Sequence, residues 1–181
     1  LDEKSTYFDS ACQSLRPQPV IDALNEYYTE YNSCGERVKY EWGRKVDDKV
    51  AESRQAVLDL LKLNGKHYFV SFTLNTTYGL NLLLSQLNLP VDKVITSEIE
   101  HNSVFLSTIE FAKKHDIERV VLERQDDGSI DLDYDFARSL VVMNTSSNVD
   151  GRELKNIKEL VKKVKKSGGF VIIDAAQTLG S

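Results

Sequence analysis

The feature that most constrains this chain is an alternation: short β-rich runs at 68–73, 93–96, 119–122, 140–143 and 170–173 are separated by segments of helical periodicity at 77–87, 103–115 and 153–166. A connection long enough to hold a helix crosses the sheet and returns the chain in the same direction, so the strands are predicted to pair mostly in parallel. Residues 126–138 depart from the rule. Their Asp126-Asp127-Gly128 turn and the short 134–136 stretch leave room only for a hairpin-like or single-turn connection. Ahead of the first run, 19–32 sets Val20, Ala23, Leu24, Tyr27, Tyr28 and Tyr31 on one helical stripe behind Pro19. A second helix is expected over 47–63, from the stripe Val50, Ala51, Val57, Leu60 and Leu61, with Asn64-Gly65 as its stop. No Pro/Gly/Ser linker, repeat or low-complexity tract interrupts this order, which predicts a single α/β unit.

Composition removes several function classes. At 181 residues and 41% hydrophobic content the chain supplies a sizeable core, so disorder is not the default. A net charge of -5 gives no electrostatic footprint for nucleic acid or an anionic membrane. No apolar run reaches the roughly 20 residues needed to span a bilayer, and Leu1-Asp2-Glu3-Lys4 lacks the character of a signal peptide, so a cytoplasmic location is expected. Cys12 and Cys34 lie far apart without CxxC spacing or nearby histidines, which supports neither a metal site nor a disulfide scaffold. There is no GxGxxG after a strand, and Leu60 stands where a phosphate-loop motif ending at Gly65-Lys66 needs its first glycine. The lysines between Lys155 and Lys166 read as the solvated face of a helix whose Leu154, Ile157, Leu160, Val161 and Val164 face the sheet.

In a parallel sheet, ligands bind beyond the carboxyl ends of the strands. The residues that fall there are Asn75-Thr76-Thr77, Glu100-His101-Asn102, Ser146-Ser147-Asn148, and Asp174 with Gln177. Asn75, Thr76 and Thr77 opening a helix suit a phosphate, or else form a plain threonine N-cap. His101 offers a flat ring of tunable charge, or a structural histidine. Asp174 ends the apolar run 170–173 and needs either a protonated ligand nitrogen or the N–H groups of a following helix that it caps.

Taken in order, these segments resemble the pyridoxal-phosphate-dependent class V aminotransferase and cysteine desulfurase family. The matching stretches are Tyr7-Phe8-Asp9-Ser10-Ala11 with Arg16-Pro17-Gln18-Pro19-Val20, then Phe72-Thr73-Leu74-Asn75-Thr76-Thr77-Tyr78-Gly79, Thr96-Ser97-Glu98-Ile99-Glu100-His101-Asn102-Ser103, Ser147-Asn148-Val149-Asp150-Gly151, and Asp174-Ala175-Ala176-Gln177. The phosphate loop of the family commonly reads Gly-Thr-Thr-Glu where this chain has Asn75-Thr76-Thr77-Tyr78, and Arg37-Val38-Lys39-Tyr40 is a weak counterpart of the Arg-Gly-x-His segment of its desulfurase branch.

The resemblance implies an aspartate-aminotransferase-type (fold type I) large domain, three-layer α/β/α around a mostly parallel mixed sheet. Residues 1–181 would form the N-terminal segment and most of the cofactor-binding large domain, truncated before a C-terminal domain. It implies pyridoxal 5'-phosphate as cofactor, with Thr76 and Thr77 on its phosphate, His101 stacked on its ring and taking part in catalysis, Asp174 on the ring nitrogen, and Asn148 and Gln177 on the ring hydroxyl or the substrate side. The Schiff-base lysine of the family follows the Asp-Ala-Ala-Gln motif and would lie past Ser181, so this chain alone is expected to be inactive. The implied activity is that of a cysteine desulfurase or selenocysteine lyase acting on an amino acid. Class V transamination and a non-catalytic or split-protein role are the alternatives. The implied partners are a second copy in a homodimer, with Tyr27, Tyr28, Tyr31, Tyr40 and Trp42 at the surface, and a sulfur-acceptor protein.

Overall fold

The computed structural model describes residues 5–37 and 39–180. Leu1 to Lys4, Val38 of the Arg37-Val38-Lys39-Tyr40 segment, and Ser181 lie outside the described residues. Although the sequence carries no linker signal, the chain forms two compact units that divide between Phe72 and Thr73.

The first unit holds two helices, α1 (Gln18–Glu30) and α2 (Glu41–Leu60). Pro17 caps α1 in an extended conformation and Pro19 sits in its first turn, where a missing N–H costs no helical bond. Helix α2 begins six residues earlier than the periodicity predicts. Gly43 weakens the local helical signal, but it is buried in the helix, so close packing overrides propensity. The helix also stops short of Asn64-Gly65. Lys62 takes the left-handed conformation (φ 54°), and the N–H groups of Leu63 and Lys62 reach back to the carbonyls of Leu58 and Asp59 at 2.9 and 3.0 Å, which closes the last turn as a Schellman motif without glycine. Lys45 joins the two helices, pairing with Glu26 at 3.0 Å and lying 4.0 Å over the ring of Tyr31, which is buried rather than at the surface as expected.

The second unit contains α3 (Thr76–Gln86), β1 (Lys93–Ser97), α4 (Asn102–His115), β2 (Glu118–Leu122), β3 (Ser139–Asn144), α5 (Ile157–Lys166) and β4 (Phe170–Asp174). The strands lie in the order β2-β1-β3-β4, and every ladder is parallel. Side chains alternate across the sheet. On one face Val94, Leu140 and Val142 pack with Leu80 and Leu84 of α3 and Val104 and Phe111 of α4. On the other, Ile95, Val141 and Met143 pack with Leu160 and Val164 of α5 and with Ile130, Phe136 and Leu154. This is the three-layer arrangement the sequence predicts. Residues 126–138 form no helix, and Arg124 bridges Ile130 in antiparallel fashion, as a hairpin-like connection requires.

Two expectations are corrected. The run 68–73 makes no ladder among the described residues, so the sheet has four strands there rather than five. Its β-rich composition is real, but a strand exists only where a neighbour accepts its backbone hydrogen bonds, and Phe69 stands 91% exposed. Helix α5 starts at Ile157 rather than at 153. Glu153 bridges Ser146, the Leu154 N–H donates to Thr145 O at 2.8 Å, and Asn156 exchanges two bonds with the backbone of Ile130. Those pairings hold the four residues out of the helix.

Candidate functional site

All four strands point their carboxyl ends to one edge, and the candidate residues of the second unit gather along it. Strand β1 ends at Ser97 and α4 begins at Asn102, which sets the α4 N-terminus at that edge. Near the other end of α4, Lys114 donates to the carbonyl of Ser85 near the end of α3. The two helices therefore run side by side in the same direction, and the N-terminus of α3 opens toward the same edge.

At α3 the cap is Asn75, whose side-chain oxygen accepts from the Tyr78 N–H at 2.8 Å. The threonine N-cap alternative therefore fails, and the Thr76 and Thr77 side chains stand exposed in the first turn. Their backbone N–H groups precede the first intrahelical bond and face outward with the positive end of the helix dipole. His101 caps α4. Its Nδ1 accepts from the Ser103 N–H at 3.0 Å and lies 2.7 Å from Ser103 Oγ. With Nδ1 accepting, the neutral ring carries its proton on Nε2.

Asp174 is the last residue of β4, in register with Asn144 of β3 and only 6% exposed. Its Oδ1 accepts from the Ala176 N–H at 3.0 Å. Residues 175–180 form turns rather than a helix, so Asp174 closes a turn and caps no helix. Among the described residues no lysine or arginine pairs with it. The turn that carries Gln177 is tied to the loop after β3, because the Thr145 N–H donates to Asp174 O at 2.9 Å and the hydroxyls of Thr145 and Thr178 meet at 2.5 Å. Asn148 is exposed at the tip of a tight turn whose buried Ser147 accepts from Val149 and Asp150.

Sequence reasoning missed the buried cluster beneath these loops. Glu100 and Arg124 form an ion pair at 3.0 Å with both side chains wholly buried. Arg124 also reaches Ser97 Oγ at 3.0 Å and Asn144 O at 2.9 Å. Burial pushes the Glu100 carboxyl above the usual carboxylate range, against the pull of the Ser97 hydroxyl, the Arg124 charge and the Asn144 N–H. Glu100 was visible beside His101, but nothing around Arg124, two residues past β2, signals that its side chain turns inward. No group of three His, Cys, Asp or Glu residues converges as a metal site among the described residues. Cys12 and Cys34 are exposed and free.

Comparison with known proteins gives this edge a family. Residues 6–181 match the model of the class-V aminotransferases. A probable cysteine desulfurase of Pyrococcus abyssi is 34% identical over 188 residues, covering 99% of this chain and 46% of the relative. One from Haemophilus influenzae is 32% identical, covering 96% and 40%. Among solved structures, the apo cysteine desulfurase of Thermococcus onnurineus NA1 superposes with a TM-score of 0.84 at 31% identity, over 95% of this chain and 44% of that one. The chain thus spans under half the length of these relatives. With a family match across almost its whole length, it belongs to the class-V aminotransferase family of pyridoxal-phosphate-dependent enzymes.

Proposed function

We propose that this chain forms most of the cofactor-binding domain of a cysteine desulfurase, an enzyme that breaks the carbon–sulfur bond of an amino acid. The observation that carries the reading is Asp174: a buried carboxylate, without a cation among the described residues, placed at the same sheet edge as the open first turn of α3 and the imidazole of His101. This donor set suits pyridoxal phosphate, which needs an anion site, an aromatic-facing group and a carboxylate for its ring nitrogen. Bound there, the cofactor supplies an electron sink for charge developing at the substrate α-carbon.

The side chains of this chain do the rest. The Thr76 and Thr77 hydroxyls and N–H groups neutralise the phosphate at the positive end of α3. Asp174 keeps a proton on the ring nitrogen through a charge-assisted hydrogen bond. His101 lies over the ring, limits its tilt and moves a proton at the α-carbon. Asn148 and Gln177 contact the ring hydroxyl or the substrate side. The cysteine desulfurase relatives favour sulfur chemistry over transamination, and the reading keeps selenocysteine as a second substrate.

The same reading assigns a homodimer, supported by the exposed Tyr28, Tyr40 and Trp42, a sulfur-acceptor protein as partner, and a cytoplasmic setting; no helix among the described residues is long and apolar enough to cross a membrane. The test is Asp174→Asn in the intact protein. Loss of a charge-assisted bond worth about 1.5–3 kcal/mol lowers cofactor affinity on the order of ten- to a hundredfold, and turnover falls further. Wild-type turnover and cofactor absorbance in Asp174→Asn would return Asp174 to closing its turn.

A further inference from the structure

We propose that Glu100 is a positioning residue: clamped by Arg124, Ser97 and Asn144, it fixes the loop that presents His101 at the sheet edge. The inference rests on the reading of His101 as the group that lies over the cofactor ring.

The loop is held by side-chain and backbone bonds at each residue. The Glu100 carboxylate accepts from the Ser97 hydroxyl at 2.5 Å, from Arg124 Nη2 at 3.0 Å and from the Asn144 N–H at 2.7 Å. Arg124 in turn donates to Ser97 Oγ and to both oxygens of Asn144, with the side-chain oxygen at 2.5 Å. The Arg124 N–H is held by both carboxylate oxygens of Glu98 at 2.8 and 3.0 Å, and Asn144 Nδ2 donates to Ile99 O at 3.0 Å. Every residue from 97 to 100 is thereby tied to a neighbouring strand or its extension. The ties reach the ends of β1 and β3 and the segment just past β2, so three strands converge on Ser97 and the three loop residues that follow it. The next residue is His101.

Stability does not account for this cluster. A buried ion pair recovers its desolvation cost only with near-complete hydrogen bonding, and apolar residues of similar volume often serve the core as well or better. Here Arg124 Nη1 is buried with no partner among the described residues. An incompletely satisfied network is a poor way to hold a core, but directed bonds fix angles as packing does not. Asn144 also lies in register with Asp174. The one cluster therefore sets the spacing between the residue under the ring nitrogen and the loop that bears the imidazole.

The experiment uses the intact protein loaded with pyridoxal phosphate, and reads the visible circular dichroism of the bound cofactor together with hydrogen exchange of residues 98–103. His101→Ala changes the dichroism if the imidazole lies over the ring. Glu100→Gln is expected to raise exchange in 98–103 about tenfold and to move the dichroism in the direction of His101→Ala, with cofactor affinity nearly unchanged. Leu140→Ala, destabilising but remote from the loop, should leave the dichroism alone, which separates positioning from loss of stability. If Glu100→Gln does not fold, Ser97→Ala removes the hydroxyl that donates to Glu100 and accepts from Arg124 Nε while keeping the ion pair, and should raise the same exchange about threefold. Wild-type exchange and dichroism in Glu100→Gln, or in Ser97→Ala where only that variant folds, overturn the proposal, provided His101→Ala has changed the dichroism. A dichroism indifferent to His101→Ala overturns the reading of His101, and with it the positioning role.

Discussion

The two units form regular structure for different reasons. In the first, α1 buries none of its residues and α2 buries only Gly43 and Leu58. In the second, all six residues of β3 are buried, and both faces of the sheet are covered by helices. A helix satisfies its own backbone, so local signals such as Pro19 suffice to make one. A parallel strand has no bonds of its own and exists only through its neighbours. Substitutions should therefore cost far more in the second unit than in the first.

The largest effect is expected at the centre of the sheet. Leu140, fully buried between β1 and β4, should cost about 2–5 kcal/mol when replaced by alanine, through lost transfer energy and the cavity left behind. Leu24, 53% exposed on α1, should cost less than about 0.5 kcal/mol. Urea unfolding of the two variants gives the contrast directly. A Leu24→Ala penalty as large as that of Leu140→Ala would break it, and would mean that another surface covers α1.

A second contrast separates backbone strain from packing. Gly128 and Gly151 both hold positive φ, at 88° and 73°, but a Cβ on Gly128 would lie 2.2 Å from the Glu153 carbonyl, whereas one on Gly151 meets nothing within 4 Å. Gly151→Ala should cost about 1–2 kcal/mol of left-handed strain. Gly128→Ala should cost distinctly more, because the 126–138 connection must also move off residue 153. Equal shifts in midpoint for the two variants would refute this.

A smaller effect is expected at the α3 cap. Asn75→Ala should cost about 1 kcal/mol and increase exchange in the first turn of α3, while Asn75→Gly should cost only a few tenths. A glycine is what the family commonly places here, so the asparagine is a local solution to the same turn. It accepts the Tyr78 N–H itself and leaves Thr76 and Thr77 exposed.

How much was legible in the sequence follows the same division. Four of the five strands, all five helices and the irregular 126–138 connection were readable, because alternation and helical stripes record which face is buried. The run 68–73 was not, since its composition says how a strand would fit a sheet but not whether a partner is present. Helix ends were missed where a tertiary contact outweighed the local code: Gly43 buried inside α2, Lys62 in place of a glycine at its end, and residues 153–156 held by Thr145, Ser146 and Ile130. At the candidate site, strand-end positions pointed to His101 and Asp174, whereas Thr76 was reached as a helix opening, since the strand expected ahead of it does not form. The Glu100 clamp was hidden because Arg124 reads as an ordinary surface residue until β1 and β3 bring Ser97 and Asn144 to it.

The smallest effects, those of exposed charges, should divide the units by pH. In the second unit the Arg138 hydrogen bond holds Asp92 below its usual 3.8, and Lys155 likewise holds Glu153 below 4.5. The Ser129 hydroxyl and N–H lower Asp127, the Ala137 N–H lowers Asp135, and the Arg152 N–H and side chain lower Asp150. Each is depressed in the folded state, so its contribution is complete above the ordinary carboxylate range and is lost as pH falls through the lowered value. Glu100, raised by burial, works in the opposite sense and offsets part of that loss. In the first unit Glu26 raises Lys45 and Glu52 raises Lys49 above 10.5, so their contribution is complete below that value and is lost as pH climbs past it. Glu100 aside, these groups are solvent-exposed, so the contribution of each to stability should be slight and should shrink in high salt. Trp42, the single tryptophan, lies in α2 and reports the first unit by fluorescence, while hydrogen exchange in β1 and β3 reports the second. Acid that reaches the lowered carboxylate values, below 3.8, at low salt should loosen β1 and β3 before Trp42 responds, and alkali above 10.5 should do the reverse. If both reporters move together at either extreme, surface charge does not distinguish the units, and the contrast between them rests on burial alone.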